Sequence, residues 1–195
     1  MIGAGGHGRV CAEAAALSGY SDIAFLDDKH VEGLPVIGTV DEIEKFAGDR
    51  CFFVAIGDNS IRKKIIKKIK ELGGELASII HPFSSVSGSA EIGEGTVIMA
   101  GVVVQANAKI GDGVIVNTCS SVDHDCVVGN WTHVAVGARL AGSVKVGESV
   151  FLGANCAISN NLSITDNCII GAGTAVICNI DDSGTYVGVP ARRIK

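Results

Sequence analysis

A chain of 195 residues makes one compact domain or two small ones, and a hydrophobic fraction of 47% is ample for a packed core, which excludes disorder. Sixteen Lys and Arg against 21 Asp and Glu leave a formal net charge of -5, which argues against a partner in nucleic acid or an anionic membrane surface. No apolar run approaches the ~20 residues of a membrane helix, Met1 to Gly5 lacks the flank and core of a signal peptide, and seven cysteines without framework spacing suit a reducing cytoplasm.

The first unit spans residues 1–81. Gly3-Ala4-Gly5-Gly6-His7-Gly8 satisfies G-x-G-x-x-G and precedes an apolar helix expected over Val10 to Leu17. Ile23 to Leu26 reads as a strand closing on Asp27-Asp28. Cys51 to Ile56 reads as a buried strand ending at Gly57-Asp58-Asn59. Ile61, Ile65, Ile66, Ile69 and Leu72 recur at helical spacing. Six basic residues between Arg62 and Lys70 are then expected on the solvated face opposite. A last strand, Leu76 to Ile80, leads to His81-Pro82. These elements make a small α/β, Rossmann-like unit with amides at a helix N-terminus facing a phosphate. Roughly 80 residues make half a dinucleotide fold, so a mononucleotide diphosphate fits better than NAD. Only Met1-Ile2 precede Gly3: either the first strand is truncated or the native chain begins upstream.

The second unit, 82–195, is a repeat. From Val86 to Val176 every sixth residue is Val, Ile or Leu, sixteen in succession. Four residues after each comes a second column that is mostly small, from Ala90 and Thr96 to Cys168 and Thr174, and three cysteines there read as buried hydrophobes. Gly93, Gly111, Gly129 and Gly147 add a period of eighteen. Three hexads per coil give a parallel β-helix of triangular section, a little over five coils long, at ~4.8 Å per coil.

Of the histidines, His30 lies in a polar loop, His81 at the unit junction has a structural role, and His7 in the glycine loop can touch a phosphate or sugar. His124, two residues after an aliphatic position, faces outward at a coil corner. Gly142 lies eighteen residues on and so one coil away, about 5 Å distant. A backbone N–H one rung above an imidazole pairs an oxyanion donor with a base. His133 follows half a coil after His124 and sits on another side of the triangle. A site using both must be assembled between protomers. No His/Cys/Asp cluster has metal-ligand spacing, and no cysteine motif demands an acyl-enzyme.

The hexad repeat ending in Gly188-Val189-Pro190-Ala191-Arg192 resembles the left-handed β-helix acyltransferases. The Gly-Gly-His-Gly head, Phe25-Leu26-Asp27-Asp28, Ala55-Ile56-Gly57, Asn117-Thr118, His124-Asp125-Cys126 and His133-Val134 narrow the resemblance. They are similar to the sugar O- and N-acetyltransferases of the sialic acid and bacillosamine type. The resemblance implies a homotrimer with acetyl-CoA as co-substrate and no metal. It implies His124 as general base and Asp125, in place of Glu, as the neighbour raising its basicity. Gly142 would donate its amide to the thioester oxygen. His133 and the backbones near Ala154 and Ala172 would line the acetyl-CoA groove. Gly5, Gly6, His7, Asp27, Asp28 and Gly57 would hold the sugar nucleotide, and Asn117 would contact the sugar. Arg192 or Arg193 would meet coenzyme phosphates, or be plain C-terminal charge. The acceptor so implied is the 4-amine of a UDP-linked 4-amino-4,6-dideoxy-N-acetylhexosamine. The alternatives are a hydroxyl of sialic acid or a related nonulosonate, a GDP-linked 4-amino sugar, and a non-enzymatic scaffold with a nucleotide-sensing head.

Overall fold

In the computed structural model, which describes residues 1–195, short parallel segments build the sheet of the head. Their spatial order is Val36–Gly38, Phe25–Leu26, Ile2, then Phe52 with Val54, and Leu76. Ile2, just before the glycine motif, takes the central place. Ile2 is fully buried; its N–H donates to Phe53 O (2.8 Å), its carbonyl accepts from Ala55 N (2.8 Å), and Gly3 N donates to Leu26 O (2.9 Å). The strand order reverses between Ile2 and Val54, so the crevice at this switch point is edged by the glycine loop and by Gly57 to Asn59.

Helix α1 (Gly6–Leu17) begins inside the glycine motif, earlier than the expected Val10, because Gly5 is its extended N-cap. Gly8 is required for close approach: a Cβ there would overlap the Gly3 carbonyl oxygen. Helix α2 (Asn59–Glu71) starts at Asp58, whose Oδ1 accepts from Ile61 N at 2.9 Å. Its buried stripe is Arg62, Ile65, Ile66 and Ile69. This corrects the sequence reading twice. Ile61 is 49% exposed, and Arg62 is buried in its stead. The physical reason is that 62, 65, 66 and 69 make a cleaner i, i+3, i+4, i+7 face than one starting at 61.

The last expected strand is divided between the two units. Leu76 bridges Phe52 in the head, whereas Ile79–Ile80 pairs with Val97–Ile98 as the first rung of the solenoid. At the far end Thr185–Val187 pairs with Ile169–Ile170 and folds back antiparallel on Arg192–Arg193. These added rungs bring the left-handed β-helix to about six turns.

Its three faces repeat in a strict register of eighteen. One runs through Val103–Val104, Ser121–Val122 and Arg139–Leu140; the second through Lys109–Ile110, Val127–Val128 and Lys145–Val146; the third through Ile115–Val116, His133–Val134 and Phe151–Leu152. Along the middle coils the aliphatic column and the small column are both buried. A further column completes each corner. Fourteen residues, at every sixth position from Gly95 to Gly173, have φ between 55° and 70°, and nine of them are Gly or Asn. The Gly93 to Gly147 series answers a different need, since coil backbones touch there: a Cβ on Gly129 would lie 2.5 Å from Gly147 C. Head and solenoid share one apolar core, in which Cys11, Ala14, Phe53 and Ala55 join the inner columns.

Candidate active site

His124 occupies the corner between the first and second faces, with its neighbour Asp125 in the left-handed column at φ 58°. That backbone turn brings the Asp125 carboxylate beside the ring. Its Oδ2 lies 2.8 Å from His124 Nδ1, while Oδ1 accepts from Asn107 Nδ2 at 3.2 Å. The short Asp therefore reaches the imidazole. Its hydrogen bond is the main cause that raises the His124 pKa above the ordinary histidine value, with the Asp123 and Asp125 charges adding to it. An Nδ1–H committed to Asp125 leaves Nε2 with a free lone pair. Nε2 lies over Gly142, where an added Cβ would come within 2.5 Å of it. The Gly142 N–H donates to no group of the protein. A free base nitrogen and a free donor thus adjoin, one rung apart.

The expected nucleotide residues meet at the switch point. The first turn of α1 has no side-chain cap and no acid, which leaves its amides open to an anion. Asp27 braces the loop, with Oδ2 accepting from Ala4 N (2.7 Å) and Oδ1 from Lys29 N (2.9 Å). These backbone bonds hold its carboxyl below the usual carboxylate range. Asp28 Oδ1 accepts from Val40 N at 3.1 Å.

His7 is pushed below the ordinary histidine value by burial and then by the Arg62 charge, and its ring stacks on His133 with centroids 6.5 Å apart. His133 lies with this group: Nδ1 is 3.4 Å from Gly57 O, Nε2 is 3.2 Å from Asn117 Nδ2, and Phe151 meets the ring edge-on at 5.2 Å. Burial, with Arg62 second, lowers its pKa to about 4. An Asn117 amide that donates to His133 Nε2 places the ring proton on Nδ1, toward Gly57. His7, Gly57, Asn117 and His133 are therefore together, on the third face. His124 is at the vertex opposite that face, so one chain holds the two clusters apart.

The corners differ in what their amides meet. Along one edge Glu94 N, Asp112 N and Glu148 N are each taken by the side chain one coil on, Asp112, Asn130 and Asp166 respectively. At the corner between the first and third faces, the N–H groups of Val136, Ala154 and Ala172 have no protein acceptor and form a ladder of donors. Arg192 and Arg193 are exposed and bond only to backbone carbonyls near the C-terminus. A cavity of about 590 Å³ lies at the other edge of the head sheet, among Met1, Phe46, Cys51 and Phe52, and includes none of these residues. No group of three or more His, Cys, Asp or Glu side chains is arranged to hold a metal ion.

Two contributors escaped the sequence reading. Phe151 is signalled by standing one coil above His133, and Arg62 by its spacing to Ile65, Ile66 and Ile69.

Residues 1–69 match the family described as the PglD N-terminal domain. Over 108 residues the chain is 40% identical to UDP-N-acetylbacillosamine N-acetyltransferase of Bacillus subtilis (strain 168). That stretch is 51% of this chain and 50% of that enzyme, so the chain spans about half the length of this curated relative. Among solved structures, the acetyltransferase domain of PglB from Neisseria gonorrhoeae FA1090 is 42% identical with a TM-score of 0.96, covering 99% of this chain and 97% of that one. PerB from Caulobacter crescentus, in complex with CoA and GDP-perosamine, is 39% identical with a TM-score of 0.95, covering 100% and 95%.

Proposed function

We infer the reaction from one premise: the chain belongs to the left-handed β-helix sugar acetyltransferases that carry a PglD-type N-terminal domain. It transfers the acetyl group of acetyl-CoA to the 4-amine of a nucleotide-linked 4-amino sugar. The observation that carries this is the His124–Gly142 pair, a lone pair held ready by Asp125 beside an unused backbone donor.

The neutral amine attacks the thioester carbonyl carbon, and Nε2 of His124 takes the proton the nitrogen sheds. Negative charge gathers on the carbonyl oxygen, where the Gly142 N–H meets it. Collapse breaks the carbon–sulfur bond, and the imidazolium returns its proton to the coenzyme thiolate, leaving amide and free thiol. The donor ladder at Val136, Ala154 and Ala172 suits the amide carbonyls of the coenzyme arm, and His133 sits beside that edge. Because His124 and the nucleotide crevice lie apart in one chain, the site is completed by a neighbouring copy. Three-fold assembly brings the vertex of one triangle to the face of the next.

The acceptor is the UDP-linked 4-amino-4,6-dideoxy-N-acetylhexosamine, a reading supported by the activity named for the Bacillus relative. A GDP-linked 4-amino sugar is the second reading, favoured by the likeness to PerB over the whole chain. Release of coenzyme A thiol is the test, with each sugar nucleotide offered in turn. Fast release dependent on the UDP-linked amine, and inhibited by UDP more than by GDP, supports the first reading. The reverse order transfers the assignment to GDP. Release with neither, but with a sialic acid, would make it an O-acetyltransferase.

A further inference from the structure

Arg62 is 1% exposed, yet it pairs with no carboxylate. Its Nε donates to Gly113 O (2.7 Å), Nη1 to Ile56 O (2.9 Å) and Gly57 O (3.1 Å), and Nη2 to Asn59 Oδ1 (2.8 Å) and Trp131 O (2.6 Å). All five N–H donors are engaged, and every acceptor is a neutral carbonyl oxygen. A buried guanidinium on these terms is costly, and an aliphatic residue would serve the α2 stripe at lower cost. What an aliphatic residue lacks is the planar fork, which holds two sets of acceptors at one separation. Here one set belongs to the Ile56–Gly57 loop of the head and the other to successive coils of the solenoid at Gly113 and Trp131. Asn59 continues the line, its Nδ2 donating to Val150 O on the coil beyond at 3.0 Å.

The solenoid meets α2 again beside this clamp. Trp131 is a bulky residue in the left-handed region, at φ 57°, and its ring lies 4.0 Å from the Lys63 ammonium of α2. Gly57 O, held by Arg62, is also the carbonyl facing His133.

We propose that Arg62 is a positioning residue for the transfer step: it fixes the Gly57 loop, and the sugar nucleotide bound there, at a set height against the coils so that the acceptor amine meets the acetyl group. This rests on the acetyl-transfer reading above. Proximity makes the demand strict, since a displacement of ~1 Å can cost about a hundredfold in rate.

The test compares wild type with Arg62→Lys, which keeps the charge but not the fork, and Arg62→Met, which keeps the bulk. Each is assayed below its own unfolding midpoint, with KM measured for both substrates. Acrylamide quenching of Trp131, the one tryptophan of the chain, reads the head–solenoid contact independently of turnover. The expected result for Arg62→Lys is greater quenching and a kcat lower by about ten- to a hundredfold, with KM for acetyl-CoA unchanged. Arg62→Met should lose at least as much. Rescue by Lys to within threefold of wild type overturns the proposal, as does greater quenching with unaltered kcat. A Lys variant that no longer folds assigns Arg62 to stability alone and overturns it too. A wild-type chain inert toward every 4-amino sugar nucleotide refutes the reaction itself, and is told apart because the wild type is then silent.

Discussion

His124 lies one coil below Gly142 with its Nε2 against the glycine α-carbon, so close that no side chain fits between them. The eighteen-residue register makes this contact a consequence of the coil rather than of a loop. Gly142 has no positive φ, so its substitution tests space rather than backbone strain. Gly142→Ala should displace the imidazole, lower kcat by about ten- to a thousandfold, and leave the thermal midpoint nearly unchanged. A large fall in the midpoint would assign Gly142 to packing instead.

His124→Ala should cost about 10²–10⁴ in rate. Because Asp125 raises the His124 pKa, the neutral base is lost as pH falls through that raised value. Asp125→Asn removes the carboxylate, so the acid limb of kcat against pH should move to lower pH while the plateau drops. A limb that stays in place would separate Asp125 from the titration.

His133 titrates at about 4 in the folded chain against an ordinary 6.5. Between those values the unfolded chain binds a proton that the folded chain refuses, so stability rises with pH across this window and is lost as pH falls from 6.5 toward 4. The difference amounts to roughly 3 kcal/mol at most. His133→Gln should flatten the dependence of the thermal midpoint on pH between 4.5 and 6.5 by this contribution. An unchanged slope would mean that another group, such as His7, dominates it.

Gly8→Ala sets a Cβ against the Gly3 carbonyl oxygen, a backbone atom that no rotamer can move away. The expected cost to the head is about 1–3 kcal/mol, with nucleotide binding weakened more than tenfold and measured by calorimetry. Full binding would show that α1 shifts freely on its strand.

If neighbouring copies complete the site, mass in solution measured by light scattering should be three times the 20.0 kDa of the chain. An active monomer would require His124 and the nucleotide crevice to meet within one chain, against their separation here.

The hexad period by itself determined the solenoid, because inward and outward positions are set by each residue's place in its own coil. For the same reason Val134 and Cys126 were legible as core, and His124 and Gly142 as neighbours: one fixed translation relates each rung to the next. In the head the glycine motif, both helices and the longer buried runs were legible, whereas the edge strand Val36–Gly38 was not, because three half-exposed residues leave no apolar run to read. The left-handed corner column went unread, because a positive φ leaves only a statistical trace in Gly and Asn and is satisfied equally by Cys119, Trp131 and Asp125. What only the tertiary structure decided is how the head sits on the coils. No period relates Arg62 to Gly113, or Gly57 to His133, and such contacts arise where two differently built units pack against each other. That docking made an arginine expected on the solvated face into a buried clamp and His133 a neutral neighbour of the Gly57 loop, since burial and the Arg62 charge act through space and not along the chain.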